Sequence, residues 1–319
     1  MAKNLIQFQK GLSIHKFKFM RLYGTEEQCY QRLFNIRWPN GYICPNCHST
    51  HHCQLQPRAL YQCHSCHQQT SITSGTLLSN TKLPLTVWFL AIYLLTQAKN
   101  GVSALELSRH LGISYNASWR LKHKLMQAMK ENDDKQPLDY IIQLDDAYWG
   151  GRTKGQKRGR GSPKKTPLVA AVALNEDYHP VYMRMSVVKR LEKAEITKWA
   201  RKHVAPKTLA ISDGLSCFDG LVKADIYHEV ETKSTAEDLE ELQDKYFHWV
   251  DTMLSNVKNS LHGTYHALRK KHLPRYLAEF CFRFNHRYRL EKMVSALLRA
   301  AVEAPPMPDR LLRLAESRW

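Results

Sequence analysis

Cys44-Pro-Asn-Cys47 and Cys63-His-Ser-Cys66 are two CxxC pairs separated by fifteen residues. Each pair lets two thiolates converge from a tight turn onto one tetrahedral ion, and two such turns close a four-sulfur structural site. The intervening residues are long enough for the hairpin that joins two zinc knuckles. Cys44, Cys47, Cys63 and Cys66 are therefore the expected ligands of a structural Zn²⁺. Six of the eight cysteines fall between residues 29 and 66, a clustering that reads as metal binding in a reducing compartment rather than as a disulfide framework. The neighbouring histidines are expected to be bystanders or nucleic-acid contacts, and Cys29 and Cys53 to be ordinary small side chains.

Charge narrows the partners. Lys and Arg number 47 against 29 Asp and Glu, a net charge of +18. A basic surface gains affinity for polyanions by releasing counterions from phosphates, so nucleic acid is the expected partner. Residues 87–95 form the most apolar run, about half of what a bilayer helix needs, and no membrane association is expected. Residues 1–24 are basic and acid-poor but lack the apolar core of a secretory signal; they read as a solvated arm or a transit segment. The expected location is the cytoplasm, in association with the nucleoid.

Residues 1–75 form an N-terminal arm and zinc ribbon, and residues 76–130 a helical domain. The charged, apolar-free run at 131–137, ending in Pro137, reads as a linker. Within the helical domain, Ser103 can cap one helix, Gly112 can make a turn and Ser114 can cap a second, which is the form of a helix-turn-helix. Leu107, Leu111, Ile113, Ala117, Leu121 and Leu125 would make the shared apolar seam. Tyr115, Asn116, Ser118, Arg120, Lys122 and His123 would then be available to DNA, with Trp119 packed.

Residues 138–290 alternate short apolar runs with helical stretches. Strands are predicted at 140–144, 167–174, 180–187, 207–211 and 225–230, with a helix at 191–203. Three strands, a helix, a strand and a late helix suggest a mixed sheet in ribonuclease-H-like order, followed by a C-terminal helical tail at 291–319. Residues 152–165 hold seven positive charges and three glycines. That composition excludes a core strand and predicts a basic loop whose Lys154, Lys157, Arg158, Arg160, Lys164 and Lys165 meet a DNA backbone.

Asp145 and Asp213 end apolar strands, where open α/β sheets present a ligand crevice. Asp251 lies in a probable helix, and Lys258, seven residues on, shares its face. Phosphodiester cleavage develops negative charge on the phosphorus oxygens and needs an activated attacking oxygen. Two Mg²⁺ or Mn²⁺ ions meet both needs, and such hard cations want clustered carboxylates. Lys258 would hold a phosphate as a point charge. Strand alternation sends Asp146 to the opposite face from Asp145, so Asp145 is the expected ligand.

The motifs in order, Arg37-Trp-Pro-Asn-Gly-Tyr-Ile-Cys-Pro-Asn-Cys47, Leu144-Asp-Asp-Ala-Tyr-Trp-Gly-Gly151, Ile211-Ser-Asp-Gly214, Ser255-Asn-Val-Lys258, Gly263-Thr-Tyr-His266, Tyr276-Leu-Ala-Glu-Phe280 and Phe282-Arg-Phe-Asn-His-Arg287, resemble the bacterial insertion-sequence transposases that join a zinc ribbon to a D-D-N/E-K catalytic domain. The resemblance implies that Asp145 and Asp213 are the first two metal-binding acids and that Lys258 matches the lysine. Asp251 stands where the family carries Asn or Glu, with a carboxylate one methylene shorter than Glu. The resemblance further implies a ribonuclease-H-like fold, recognition of terminal inverted repeats, and 3′-end cleavage with strand transfer into target DNA. A homodimer or larger assembly would bring two ends together, and Arg283 and Arg287 would face DNA. The alternatives are a nuclease of the same fold that cuts without rejoining, and an inactive, zinc-dependent DNA-binding regulator derived from such an enzyme.

Overall fold

The computed structural model describes residues 16–150, 165–231, 247–265 and 268–315. The chain divides into two compact units, Met1–Glu131 with His286–Trp319, and Asn132–Asn285.

In the first unit, α1 (Lys16–Tyr23) and α2 (Glu26–Arg37) precede a three-stranded antiparallel sheet of β1 (His52–Leu55), β2 (Leu60–Cys63) and β3 (Gln69–Ser71). A capping box starts α2: the Gln28 amide donates to Thr25 Oγ1 and the Thr25 amide to Gln28 Oε1, at 3.2 and 3.1 Å, satisfying two amides that a helix start leaves without partners. The apolar helix α3 (Leu85–Gln97) follows Pro84. Its first amides, those of Leu85 and Thr86, donate to the Glu26 carboxylate at 2.8 and 3.1 Å, so α2 caps α3 across sequence distance.

Helices α4 (Ala104–Leu111) and α5 (Tyr115–Asp133) meet at Gly112, whose φ of 62° makes the left-handed turn that glycine adopts without strain. Ser103 and Ser114 accept amides of the two first turns, as their positions predict. Near the end of the chain lie α9 (Leu290–Glu303) and α10 (Asp309–Leu314). Although 291–319 reads in sequence as a separate tail, α9 packs against α2 and α3. The Leu77 amide donates to the Ala301 carbonyl at 3.1 Å and Arg32 to Ser295 Oγ at 3.0 Å. The apolar stripe Met293, Val294, Leu297, Leu298 and Ala301 is buried there, which a free tail could not satisfy.

The second unit holds a mixed sheet of β4 (Ile141–Trp149), β5 (Thr166–Leu174), β6 (Pro180–Val187), β7 (Leu209–Ser212) and β8 (Tyr227–Val230), in the order β6-β5-β4-β7-β8. β4, β5 and β6 run antiparallel; β4, β7 and β8 run parallel. β4 continues five residues past the predicted end at Leu144, because β5 pairs with it as far as Trp149. β5 is nearly all apolar and is covered on both faces. Its odd residues, with Ile142 and Leu144 of β4, pack against Ile196 and Trp199 of α6 (Lys193–His203) and against Phe218. Its even residues, with Ala147 and Trp149, pack against α7 (His248–Thr264) and α8 (Leu273–Asn285).

The run 131–137, read in sequence as a linker, contains the boundary between the two units, and its residues 133–136 are tied down by a polar knot around Arg184. α5 runs on through Asp133, which is 7% exposed. Arg184 of β6 donates to the Asp133 and Gln136 carbonyls and to Asp134 Oδ1, and its guanidinium meets His203 Nδ1 at 2.6 Å. Tyr182 donates to the Asp133 carboxylate at 3.2 Å. A charged run that can complete these bonds need not stay in solvent.

Burial pushes the Asp133 carboxyl up to about 7, against the pull of Arg184 and of the Tyr182 hydroxyl. Between its unfolded value of 3.8 and about 7, the folded chain keeps a proton that the unfolded chain has released, so folding stability falls as pH rises through that window. Asp133→Asn keeps an acceptor for Tyr182 and removes the titration. Urea unfolding of both proteins between pH 4 and pH 7 is expected to show the Asn variant gaining stability over the parent as pH rises; a constant difference would contradict the assignment.

Candidate active site and metal centres

The parallel pairing of β4 with β7 aligns Ile141 with Leu209 and ends with Leu144 opposite Ser212. The next residue on each side is an aspartate, Asp145 within β4 and Asp213 just past the end of β7, so the two leave the end of the shared ladder together and, in the same alternation, on the α7 face. Gly214, with a φ of 79°, turns the chain away, and the Leu215 amide donates to Asp213 Oδ1 at 3.2 Å. The turn and the acid are one device. It fixes the carboxylate at the strand end.

Carboxylate oxygens of Asp145, Asp146 and Asp213 lie within 4.8 Å of one another. Alternation puts Asp146 on the opposite face from Asp145, yet its carboxylate also belongs to this cluster. Ile142 and Leu144 do face α6 while Ala147 and Trp149 face α7, so the pleat is regular. β4 runs on beyond the last β7 pair, and at that point the Asp146 carboxylate lies within 4.8 Å of those of Asp145 and Asp213. The Asp146 amide also donates to Asp145 Oδ1 at 2.7 Å.

Asp251 comes from the first turn of α7, which packs on β4 and β5. It stands outside the 4.8 Å set but close enough for its charge to act on Asp145. Burial, then Asp146, Asp213 and Asp251, push the Asp145 carboxyl up to about 7. A half-buried acid beside three like charges favours a proton or a cation. The donors are all hard oxygens, and Asp213 is exposed at the rim, which fits an open divalent-cation site reached from solvent. Lys258 is exposed on the same helix.

The four cysteine sulfurs converge within 4.8 Å. Cys44 Sγ lies 3.6 Å from Cys66 Sγ, and Cys47 Sγ lies 3.5 Å from Cys63 Sγ, close to the about 3.8 Å edge of a tetrahedron with about 2.3 Å metal–sulfur bonds. The two turns repeat each other. The His48 and His67 amides donate to the Cys44 and Cys63 carbonyls at 3.0 Å, and both histidines have φ near 60°. Backbone amides of Cys66 and Ser65 aimed at the Cys63 sulfur bring its thiol down to about 6. Cys29 is buried, its thiol pushed up to about 12, and Cys53 is exposed. Tyr42, Tyr61, Trp38 and His52 pack ring to ring beside the sulfurs.

The residues expected to meet DNA divide. Tyr115 and Asn116 are exposed at the start of α5. Arg120 is half exposed and pairs with Asp309 at 3.0 Å. Lys122, by contrast, is 1% exposed and donates to the Val102 carbonyl; a lysine whose ammonium is tied to a buried carbonyl cannot reach a phosphate. Ser118 and His123 are buried as well, bonded to the Ala104 carbonyl and stacked on Trp119 respectively. Arg283 pairs with buried Glu279 at 2.9 Å, and Arg287 lies over the Tyr288 ring, so both guanidinium groups serve packing in this structure. Lys165 precedes β5 and is half-buried; Lys154, Lys157, Arg158, Arg160 and Lys164 lie outside the described residues. Among the described residues, no helix is long and apolar enough to cross a membrane.

Residues 137–285 match the model of the ISXO2-like transposase domain, and residues 24–69 match that of the transposase zinc-ribbon domain. A relative described as an uncharacterized protein in transposable element ISH50 of Halobacterium salinarum is 25% identical over 147 residues, 45% of this chain and 48% of its own length. The chain thus spans about half the length of that relative. Two solved structures are also similar: the Mos1 transposase paired-end complex with left transposon end (13% identity, TM-score 0.22, 66% of this chain and 78% of that one) and the Mos1 mariner paired-end complex with Mn (15%, 0.23, 62% and 75%). Likeness at that level carries no weight for the fold.

Metal content tests the sulfur cluster. Cys63→Ser is expected to lose the ion that a mercurial reagent releases from the parent protein into a metallochromic dye, because the site closes only with four thiolates. Cys53→Ser should release as much ion as the parent. Equal release from the Cys63 variant would remove that residue from the ligand set.

Proposed function

We propose that this chain, which joins a transposase zinc-ribbon domain to an ISXO2-like transposase domain, is a DDE-type transposase that cuts DNA at the terminal repeats of an insertion sequence and transfers the 3′ ends to target DNA. The convergence of Asp145, Asp146 and Asp213 within 4.8 Å, inside the matched domain, carries the reading. The strand order β6-β5-β4-β7-β8, with three antiparallel strands leading into two parallel ones, supports a ribonuclease-H-like catalytic domain.

In this reading Asp145 and Asp213 at the end of the β4–β7 ladder, with Asp251 from α7, hold Mg²⁺ or Mn²⁺. Divalent ions bound there supply the positive charge that activates the attacking oxygen and stabilises the leaving one. The chain's own groups orient the substrate. Lys258, exposed on α7, takes a phosphate oxygen as a point charge, and the open rim at Asp213 leaves room for the backbone. Tyr115 and Asn116, at the exposed start of α5, serve recognition as the entering end of a helix-turn-helix, and the ribbon, folded around zinc, adds to DNA binding. Two copies would hold two element ends.

Cleavage of labelled terminal-repeat DNA in Mg²⁺ or Mn²⁺ tests this directly. Asp145→Asn and Asp213→Asn are each expected to lower the rate by more than about 100-fold, beyond what loss of a mere outer partner costs, with DNA binding retained. Joining of the cut ends to a plasmid separates a transposase from a nuclease. Unchanged cleavage in either variant would reject the site, and a parent protein that binds repeat DNA without cutting it would leave a regulator.

A further inference from the structure

The side chain of Gln143 bridges the two acid-bearing elements from within the core. It is 1% exposed in the middle of β4, and its Oε1 accepts the Val250 amide of α7 at 3.2 Å. Val250 is itself fully buried. Gln143 lies two residues before Asp145 and so shares its face of the strand; Asp251 directly follows Val250. One hydrogen bond therefore ties together the backbones that carry Asp145 and Asp251.

The surroundings make an amide at this place costly unless it does something. The same face holds Ala170, Val172, Leu254 and Val257, all buried and apolar, and a polar side chain there is destabilising unless it is bonded. The helix supplies the need. Its cap residue Phe247 offers no side-chain hydrogen bond, and a helix start leaves its first amides without intrahelical partners. The apolar contacts hold α7 down on the sheet, but burial has no direction along a helix axis. A hydrogen bond does. Sliding α7 by one residue would move Asp251 by about 1.5 Å and turn it by about 100°, while a functional constellation tolerates about 0.5 Å.

We propose that Gln143 is a positioning residue of the active site: by accepting the Val250 amide it fixes the register of α7 against β4 and thereby sets Asp251 beside Asp145 and Asp213. The inference rests on the reading of these acids as a cation site, and it assigns Gln143 no contact with substrate or ion.

The test is Mn²⁺ binding to the full chain without DNA, followed by electron paramagnetic resonance of the free ion. Gln143→Met keeps length and volume and removes the acceptor; its Mn²⁺ Kd is expected to rise about 10-fold or more, the effect of losing an outer-shell partner. Gln143→Glu restores an acceptor at the same atom and is expected to bind at least as tightly as the parent. Gln143→Asn keeps the amide but falls one methylene short, and serves the same comparison if the Met variant does not fold. Asp145→Asn, run alongside, must weaken binding. Parental affinity in the Met or Asn variant would overturn the proposal, and so would equal weakening in the Met and Glu variants, since bulk packing would then explain the loss. Parental affinity in Asp145→Asn would reject the cation site itself and the Gln143 assignment with it.

Discussion

Four residue pairs between β4 and β7 set the geometry on which the site depends. Parallel strands finish at the same end of a sheet, so acids placed one residue past the pairing must come out side by side. Antiparallel pairing would have put them at opposite ends. The pairing also decides the face, because opposed residues in a parallel ladder point the same way, and α7 covers the face to which Asp145 and Asp213 are directed. Ser212, fully buried and 2.8 Å from His228 Nε2, holds β7 to β8 immediately before Asp213.

The cost of this arrangement is electrostatic. Asp145 sits half-buried among like charges, and its carboxyl is driven to about 7. A fold selected only for stability would not gather these acids at one strand end; real folds concede such local conflicts where they act. The two candidate metal sites make different concessions. The ribbon's four sulfurs form a closed tetrahedral set, whereas the carboxylate cluster is open to solvent at Asp213.

What could be read from the sequence was local. The CxxC turns, the serine caps, Gly112 and Asp213 at the end of β7 each carry their signal within a few residues, and the structure has those features where the spacing put them, whereas Asp145, read as a strand end, lies inside β4. What escaped depends on partners far along the chain. Lys122 looked like a DNA contact because a lysine on an amphipathic helix usually faces water, yet it bonds to the Val102 carbonyl twenty residues earlier. The charged run at 131–137 does hold the boundary between the two units, but its bonds to Arg184, about fifty residues on, could not be read locally. Asp146 was set aside because alternation puts it on the other face of β4, which it does, yet its carboxylate still comes within 4.8 Å of the other two. The one signal that could have found Gln143 was a glutamine in the apolar first half of β4, two residues before a catalytic candidate.

An anomalous difference map from crystals soaked in Mn²⁺ tests the central claim most directly. The account predicts a peak at the end of the β4–β7 ladder, about 2.1 Å from carboxylate oxygens of Asp145 and Asp213, with Asp251 reaching it directly or through a water. A map with Mn²⁺ bound elsewhere on the protein and nothing between those two aspartates would contradict it.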